Sequence, residues 1–159
     1  MFRLSKITDY GIVLLAELAK EPSGTPRNAR DLAARVELPV PMVSKVLKAL
    51  ARDGLLESQR GTKGGYSITR RPEEVSVADM IAALDGPVAI TECNVAPGLC
   101  EHEGSCAVRA PWQRINRVVE AALGTVTLRD LIDPAFPTSP LVQIQSGGEL
   151  SDGGGLRST

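Results

Sequence analysis

The sequence has no run of apolar residues long enough to cross a membrane. Its longest apolar stretches, such as GIVLLA at residues 11–16, fall far short of the roughly 20 residues that a spanning helix needs. That stretch also follows acidic and aromatic residues instead of the basic segment that begins a secretory signal. We therefore expect a cytoplasmic protein that has no membrane partner.

The usual signatures of an enzyme are also missing. The chain has no glycine-rich nucleotide-binding motif and no pair of carboxylates in a recognisable catalytic setting. These absences predict a protein that is not an enzyme, although an iron-sulfur redox protein is an alternative from another functional class.

Cysteine and histidine are scarce, with 3 Cys and 1 His. All three thiols, Cys93, Cys100 and Cys106, fall in one stretch that has neither a helical nor a strand period. An odd number argues against a disulfide framework, and the polar loop is a poor setting for buried, inert cysteines. The Cys-x6-Cys-x5-Cys spacing matches neither zinc ribbons nor plant-type ferredoxins. Because thiolates suit iron-sulfur clusters and zinc alike, the spacing predicts a metal or a cluster without choosing.

The net charge of -1 hides a difference between the two halves of the chain. Residues 1–75 carry 13 Lys or Arg against 9 Asp or Glu, a balance of +4, whereas residues 76–159 carry 5 against 10, a balance of -5. A basic first half and an acidic second half indicate a nucleic-acid-binding module followed by a module with another role. An iron-sulfur redox protein would leave the basic half unexplained.

The basic half carries the pattern of a winged helix-turn-helix. Apolar spacing predicts one helix over residues 5–20, with Thr8 as its N-cap, and a second helix capped by Asn28. After the turn LPVP, a third helix reaches Gly54, with its apolar residues on one face and a basic face free of acids opposite. Two short helices joined by a tight turn, the second with a basic outer face, are typical of DNA binding in the major groove.

We expect the outer face of that helix to contact bases through Ser44, Lys45 and Lys48. The strand-like runs LLESQR and GYSIT flank RGTKGG, whose glycines favour a hairpin and whose Arg60 and Lys63 lie at its tip. A basic hairpin in this position predicts a wing that reaches phosphates or the minor groove.

The acidic half is predicted to be helical around the cysteine loop. Ser76 begins a helix that Gly86-Pro87 ends, and Pro111 opens a longer helix with an apolar seam that Gly124 ends. We interpret the seam as a dimerisation helix, so the partners are a second copy and double-stranded DNA. The expected organisation is a DNA-binding domain at 1–75, a cluster loop with dimerisation helices at 76–132, and a disordered tail at 133–159.

Several motifs together resemble one family. They are RLSKITDYG, LAARVELPVPMVSKVLKALARDGLLES, RGTKGGY, SVADMIAALDGP and the three-cysteine loop. Over nearly all of residues 1–132 the chain is similar to the dimeric winged-helix regulators of the IscR and NsrR type. The segments TEC and RAPWQRIN make it most similar to the SUF-system regulators of iron-sulfur cluster assembly. The resemblance implies a mostly α fold and a cluster, expected to be [2Fe-2S], on Cys93, Cys100 and Cys106, with [4Fe-4S] or zinc as alternatives.

The resemblance leaves the fourth ligand open. IscR has a histidine three residues after its last cysteine, and this chain has Arg109 there. In the NsrR type an aspartate from the partner's first helix completes the site, and the matching residue here is Asp9. His102, inside the loop, is the alternative, and Glu92, Glu101, Glu103 or a small ligand are further candidates.

The function implied is repression of genes for iron-sulfur cluster assembly by a homodimer that senses cluster status. The alternatives keep the same fold but change the input. One is a cluster-free regulator that responds to redox state or to a protein partner, and the other is a regulator stabilised by zinc on three thiolates and His102.

Overall fold

The chain is mostly helical in a computed structural model, which describes residues 4–22, 24–61 and 64–136. These residues form seven α-helices and one two-stranded antiparallel sheet. In chain order they are α1 Lys6–Ala19, α2 Ala29–Arg35, α3 Val40–Arg52, β1 Leu56–Gln59, β2 Gly65–Ile68, α4 Val77–Asp85, α5 Glu92–Val95, α6 Arg109–Thr125 and α7 Leu128–Ile132. A single 3-10 turn, Pro72–Glu74, precedes α4. The predicted mostly α architecture is confirmed.

The core lies where α1 and α3 cross, because both helices place apolar residues at helical spacing on one face. Leu14 and Leu15 of α1 are fully buried, as are Val46 and Leu47 of α3. α1 also packs closely on α4, since a Cβ atom at Gly11 would collide with the side chain of Leu84. The helix α1 therefore packs against both α3 and α4.

Polar residues begin the helices much as the sequence indicates. Asn28 accepts the Asp31 backbone N–H at 2.9 Å, and Ser76 accepts that of Asp79 at 3.1 Å. The prediction that Thr8 caps α1 is wrong, because Ser5 is the N-cap and accepts the Thr8 N–H at 3.2 Å. Thr8 is instead buried in the first turn of α1.

The predicted hairpin is the β1–β2 ladder, paired from Leu56 with Ile68 to Gln59 with Gly65. Tyr66 also exchanges backbone hydrogen bonds with Arg27, at 2.8 and 2.9 Å. Gly65 is needed there, since a Cβ atom on it would overlap the Arg27 carbonyl. The hairpin is thereby attached to the segment that leads into α2.

The longest helix, α6, departs from its predicted ends. It starts at Arg109 instead of Pro111, because the Val108 carbonyl accepts the Trp112 N–H at 3.1 Å and so forms the first helical hydrogen bond before the proline could begin the helix. The prediction that Gly124 ends it is also wrong, since the helix runs to Thr125. Its end is set by tertiary pairing, in which the carbonyl of Val126 accepts the N–H of Val77 at 2.8 Å.

Buried packing continues across residue 75. Met80 and Leu128 are fully buried in the same apolar cluster as the residues of α1 and α3, and the Leu128 N–H donates to the Val75 carbonyl at 2.7 Å. The buried core thus includes residues on both sides of residue 75, and the expected boundary between two domains there stays a prediction.

Most of the tail predicted to be disordered, 137–159, lies outside the described residues. None of the helices in the described part of the chain combines the length and apolar character of a membrane span.

Candidate functional site

The outward face of α3 presents basic side chains. Lys45 and Lys48 are exposed and Ser44 is half-buried, while Val43 and Val46 on the opposite face are fully buried. Neither lysine forms an ion pair with a described residue. Both ammonium groups are therefore available to an external anion, as the prediction for the major groove requires.

Of the two cations predicted at the tip of the wing, Arg60 is among the described residues. Arg60 follows β1 directly and is exposed, whereas Lys63 lies outside the described residues. Since β1 follows α3 after a short turn at Gly54, whose φ is 79°, the wing and α3 belong to one continuous surface. The contacts of Ser44, Lys45, Lys48, Arg60 and Lys63 with DNA stay predictions.

Other cations of the first half are engaged in internal ion pairs. Arg35 of α2 reaches Glu21 at 2.8 Å and Glu17 at 3.2 Å, and Arg27 reaches Glu21 at 2.6 Å. Hydrogen bonds from Lys20 and from Arg35 together outweigh the effect of burial and hold the pKa of Glu17 below its usual value. These pairs join α1 to α2, so we assign them to the support of the helix-turn-helix.

The three cysteines lie on a short helix and a series of turns between α4 and α6. Cys93 is in α5, which corrects the expectation of a loop without helix, and Cys100 and Cys106 flank the turns at residues 101–105. All three thiols are free and half-buried. The Cys100 and Cys106 carbonyls accept the N–H groups of Glu103 and Arg109, at 3.1 and 3.3 Å. The backbone of the loop is thus ordered by its own hydrogen bonds.

The donor chemistry of this loop fits a thiolate-bound metal or cluster, because three free thiols are close in sequence and partly open to solvent. One chain does not gather a complete site: within the described ranges, no three His, Cys, Asp or Glu side chains converge as a metal-binding group. Asp9 is exposed on α1, and His102 is exposed in the turn between Cys100 and Cys106. A ligand from another copy is compatible with this arrangement.

Arg109 joins two parts of the cysteine loop through Glu103. Its Nη2 lies 2.5 Å from Glu103 Oε1, and Glu103 Oε2 accepts the Gly98 N–H at 2.5 Å. Both carboxylate oxygens of Glu103 are therefore occupied, which makes it a weaker candidate ligand than Asp9 or His102. The sequence marked Arg109 only as a missing histidine and contained no sign of this brace.

Asn116 is a second residue whose role the sequence pattern missed. It is the buried residue of α6, 6% exposed, and its amide donates to the Val88 carbonyl and accepts the Ile90 N–H, both at 2.9 Å. The segment that enters the cysteine loop is thereby fastened to α6. The presence of one asparagine close to the apolar seam could have indicated this buried role. The helical period alone, however, places Asn116 on the polar face.

The apolar seam of α6 is exposed in its first part, whereas Val119, Ala122 and Leu123 of the same seam are half-buried. Trp112 is 37% exposed, Ile115 45% and Val118 57%, and Val108 just before the helix is 53% exposed. Their spacing places them on one stripe, which we call the α6 stripe. Large apolar side chains aligned in this way are typical of a protein interface.

Known proteins are similar to this chain in sequence and in fold. A family model for Rrf2, an iron-dependent transcriptional regulator, matches residues 4–134. The repressor NsrR of Streptomyces coelicolor is 30% identical over 141 residues, which cover 88% of this chain and 93% of NsrR. The regulator IscR of Xenorhabdus nematophila is 26% identical over 130 residues, 82% of this chain and 79% of IscR. The solved structure of CymR, the global cysteine regulator of B. subtilis, is 30% identical with a TM-score of 0.66, covering 83% of this chain and 97% of CymR.

The basic outer face of α3, the wing beside it and these similarities define a winged-helix, DNA-binding transcriptional regulator, not an enzyme. Within that class, the chain belongs to the Rrf2 family. The resemblance found in the sequence is thereby confirmed at the level of the family.

Proposed function

We propose that this protein is a homodimeric, cytoplasmic repressor of iron-sulfur cluster assembly genes of the SUF type, and that it senses cluster status. The observation that carries the proposal is the cysteine loop, in which three free thiols lie beside α6 in an Rrf2-family regulator. We assign Cys93, Cys100 and Cys106 as ligands of an iron-sulfur cluster, with [2Fe-2S] as the leading type. When bound, such a cluster supplies a centre that is sensitive to oxidants and to iron supply.

The fourth ligand is proposed to be Asp9 from the partner copy. Asp9 is exposed on α1, and α1 packs directly against α3 through fully buried leucines and valines. A bond between Asp9 and the partner's cysteine loop would therefore restrain the position of both α3 helices. Because two half-sites must lie about one helical turn or a multiple apart, a small change in that separation alters operator affinity.

Anaerobic purification tests the cluster. We expect visible absorption together with roughly equal amounts of iron and sulfide, and a colourless zinc protein would contradict the proposal. Loaded and cluster-free protein should then differ in affinity for the operator; equal binding to every candidate operator would contradict a sensing role.

The fourth ligand is tested by two matched variants. We expect Asp9→Ala to change the visible spectrum and to accelerate cluster loss, while His102→Ala leaves both close to wild type. The reverse result would assign the ligand to His102. Lys6→Ala, another exposed position of the same helix, is the control for changes on the surface of α1.

DNA contacts are tested on α3 and the wing. Replacing Lys63 by Ala should weaken all sequences alike and reduce the slope of log affinity against log salt by about 1, since we assign this lysine to one phosphate contact. Ser44→Ala should instead reduce discrimination between operators. Selective loss at one operator on replacing Lys63 would contradict its assignment to phosphate.

The similarity to CymR favours a second candidate function. In it the same dimer regulates genes of cysteine metabolism without a cluster and takes its signal from redox state or a protein partner. Protein that contains neither iron nor sulfide, yet binds an operator, would favour this candidate.

A further inference from the structure

Thr91 occupies the N-cap position of α5 but does not cap it. At four other helices of the described chain, the polar N-cap side chain accepts a backbone N–H of the first turn; these residues are Ser5, Asn28, Ser76 and Thr127. A threonine at this position ordinarily gains stability in the same way. The hydroxyl of Thr91 is therefore engaged elsewhere.

Its partners are the side chains of the next residues. Thr91 Oγ1 lies 3.2 Å from Cys93 Sγ, and Asn94 Nδ2 donates to the same oxygen at 2.7 Å. A hydroxyl has one proton to donate and two lone pairs. Since the Asn94 amide occupies one lone pair, the proton of the hydroxyl can point toward the sulfur. A cysteine that ligates a metal is a thiolate without a proton, so the Thr91 hydroxyl must then be the donor.

The backbone before Thr91 is held in place by α6. Asn116 donates to the Val88 carbonyl and accepts the Ile90 N–H, and these two groups lie just before Thr91 in the chain. Thr91 and Cys93 are both half-buried, which limits the competition of water for the sulfur. The hydroxyl is thus presented to Cys93 by a fixed support and not by a freely rotating surface side chain.

We propose that Thr91 is a positioning residue whose hydroxyl donates a hydrogen bond to the Cys93 thiolate and thereby raises the reduction potential and the retention of the bound cluster. This inference rests on the proposed function. Hydrogen bonds to ligating sulfur stabilise the reduced state more, because reduction adds negative charge that the sulfur shares. Asn94 orients the hydroxyl by occupying the opposite side of its oxygen.

The test compares Thr91→Val, which keeps the shape and removes the donor, with Thr91→Ser, which keeps the donor. In anaerobically loaded protein we expect Thr91→Val to lower the equilibrium constant for one-electron reduction several-fold. A tenfold change corresponds to about 59 mV. The same variant should lose its cluster several-fold faster to a chelator, and Thr91→Ser should restore both values close to wild type.

Ser105→Ala is the matched control, because Ser105 is another hydroxyl of the loop and its side chain forms no hydrogen bond with the described residues. An unchanged potential in Thr91→Val, a failure of Thr91→Ser to restore it, or an equal shift in Ser105→Ala would each overturn the inference. Wild-type protein without iron and sulfide would instead overturn the proposed function. The two failures are therefore distinguishable.

Discussion

Arg109 stands where IscR has a histidine, and its guanidinium forms an ion pair with Glu103 of the cysteine loop. The guanidinium cannot donate an electron pair to a metal, yet it holds Glu103, which in turn holds the Gly98 N–H. The pair closes the turns that carry Cys100 and Cys106 against the first turn of α6. In the proposed site, Arg109 would thus support the loop that carries Cys100 and Cys106 and would not itself bind the metal.

Arg109→Ala should loosen this part of the loop. We expect about tenfold or greater loss of affinity for the bound metal, the range seen when residues that orient ligands are removed. Iron content after dialysis against a chelator measures it. Arg109→Lys should restore part of the loss, and Arg114→Ala, an exposed arginine of the same helix, should leave it unchanged. An Arg114 effect as large as that of Arg109 would contradict the assignment.

Asn116 is the polar residue on which the packing of α6 depends. Asn116→Ala would leave the Ile90 N–H and the Val88 carbonyl without their partner, which costs about 1–3 kcal/mol in the free energy of unfolding. Urea unfolding followed by circular dichroism measures this loss. Gln113→Ala, whose amide bonds to no described residue, should change stability by less than about 0.5 kcal/mol.

At the scale of elements, the junction of α1 and α4 fixes the end of α1 that carries Asp9. Asp85 of α4 accepts the Ser5 hydroxyl at 2.6 Å and the Ser5 N–H at 3.2 Å. Burial raises the pKa of Asp85, but hydrogen bonds from Ser5 and Thr8 outweigh it and hold the pKa below its ordinary value of 3.8. Ser5 is therefore an N-cap with a tertiary partner, which local spacing could not reveal.

The stability from Asp85 should depend on pH with a defined sign. Because its pKa is depressed in the folded state, the contribution is fully present above pH 3.8 and is lost as pH falls through the lower folded value. Because Asp85 is exposed and water screens its contacts, Asp85→Asn should cost less than about 1 kcal/mol near neutrality, with a gap in Tm from wild type that narrows below pH 3.8. Glu120→Gln, exposed on α6, should show no such gap. A gap that widened in acid would contradict the sign.

The elements themselves were largely predictable because their signals are local. Apolar periodicity predicted α1, α3 and α6, and polar residues before the helices predicted the caps at Asn28 and Ser76. The ends of α6 were not predictable. A glycine costs a helix only about 1 kcal/mol, and the helix runs one residue past Gly124 before the Val126 carbonyl accepts the Val77 N–H.

At the scale of the whole molecule, the α6 stripe is the surface that a second copy should cover. It is apolar, it extends along most of a 17-residue helix, and it continues onto Val108 beside the cysteine loop. A copy paired through this stripe would bring a second cysteine loop near the first, because Val108 extends the stripe to that loop.

Val118→Glu should separate the dimer without unfolding the chain, because Val118 is 57% exposed and fills no part of the core. We expect a monomer by light scattering, with an unchanged helical spectrum and at least tenfold weaker operator binding, since loss of one half-site removes much of the contact. Arg117→Glu makes a larger change of charge at an exposed position outside the stripe and should remain dimeric. A dimeric Val118→Glu protein would rule out the α6 stripe as the interface.

Local sequence signals were sufficient for the longer helices, the wing, the basic face of α3 and the three candidate thiols, because each depends on residues close together in the chain. Folding decided the rest: that Arg109 braces Glu103, that Asn116 is buried while Trp112 and Val118 are exposed, and that the Thr91 hydroxyl meets sulfur instead of capping a helix. Some of these features join side chains on different elements. In the others, a side chain has several possible partners equally near in sequence and contacts only one kind. Helical periodicity carries no information about either.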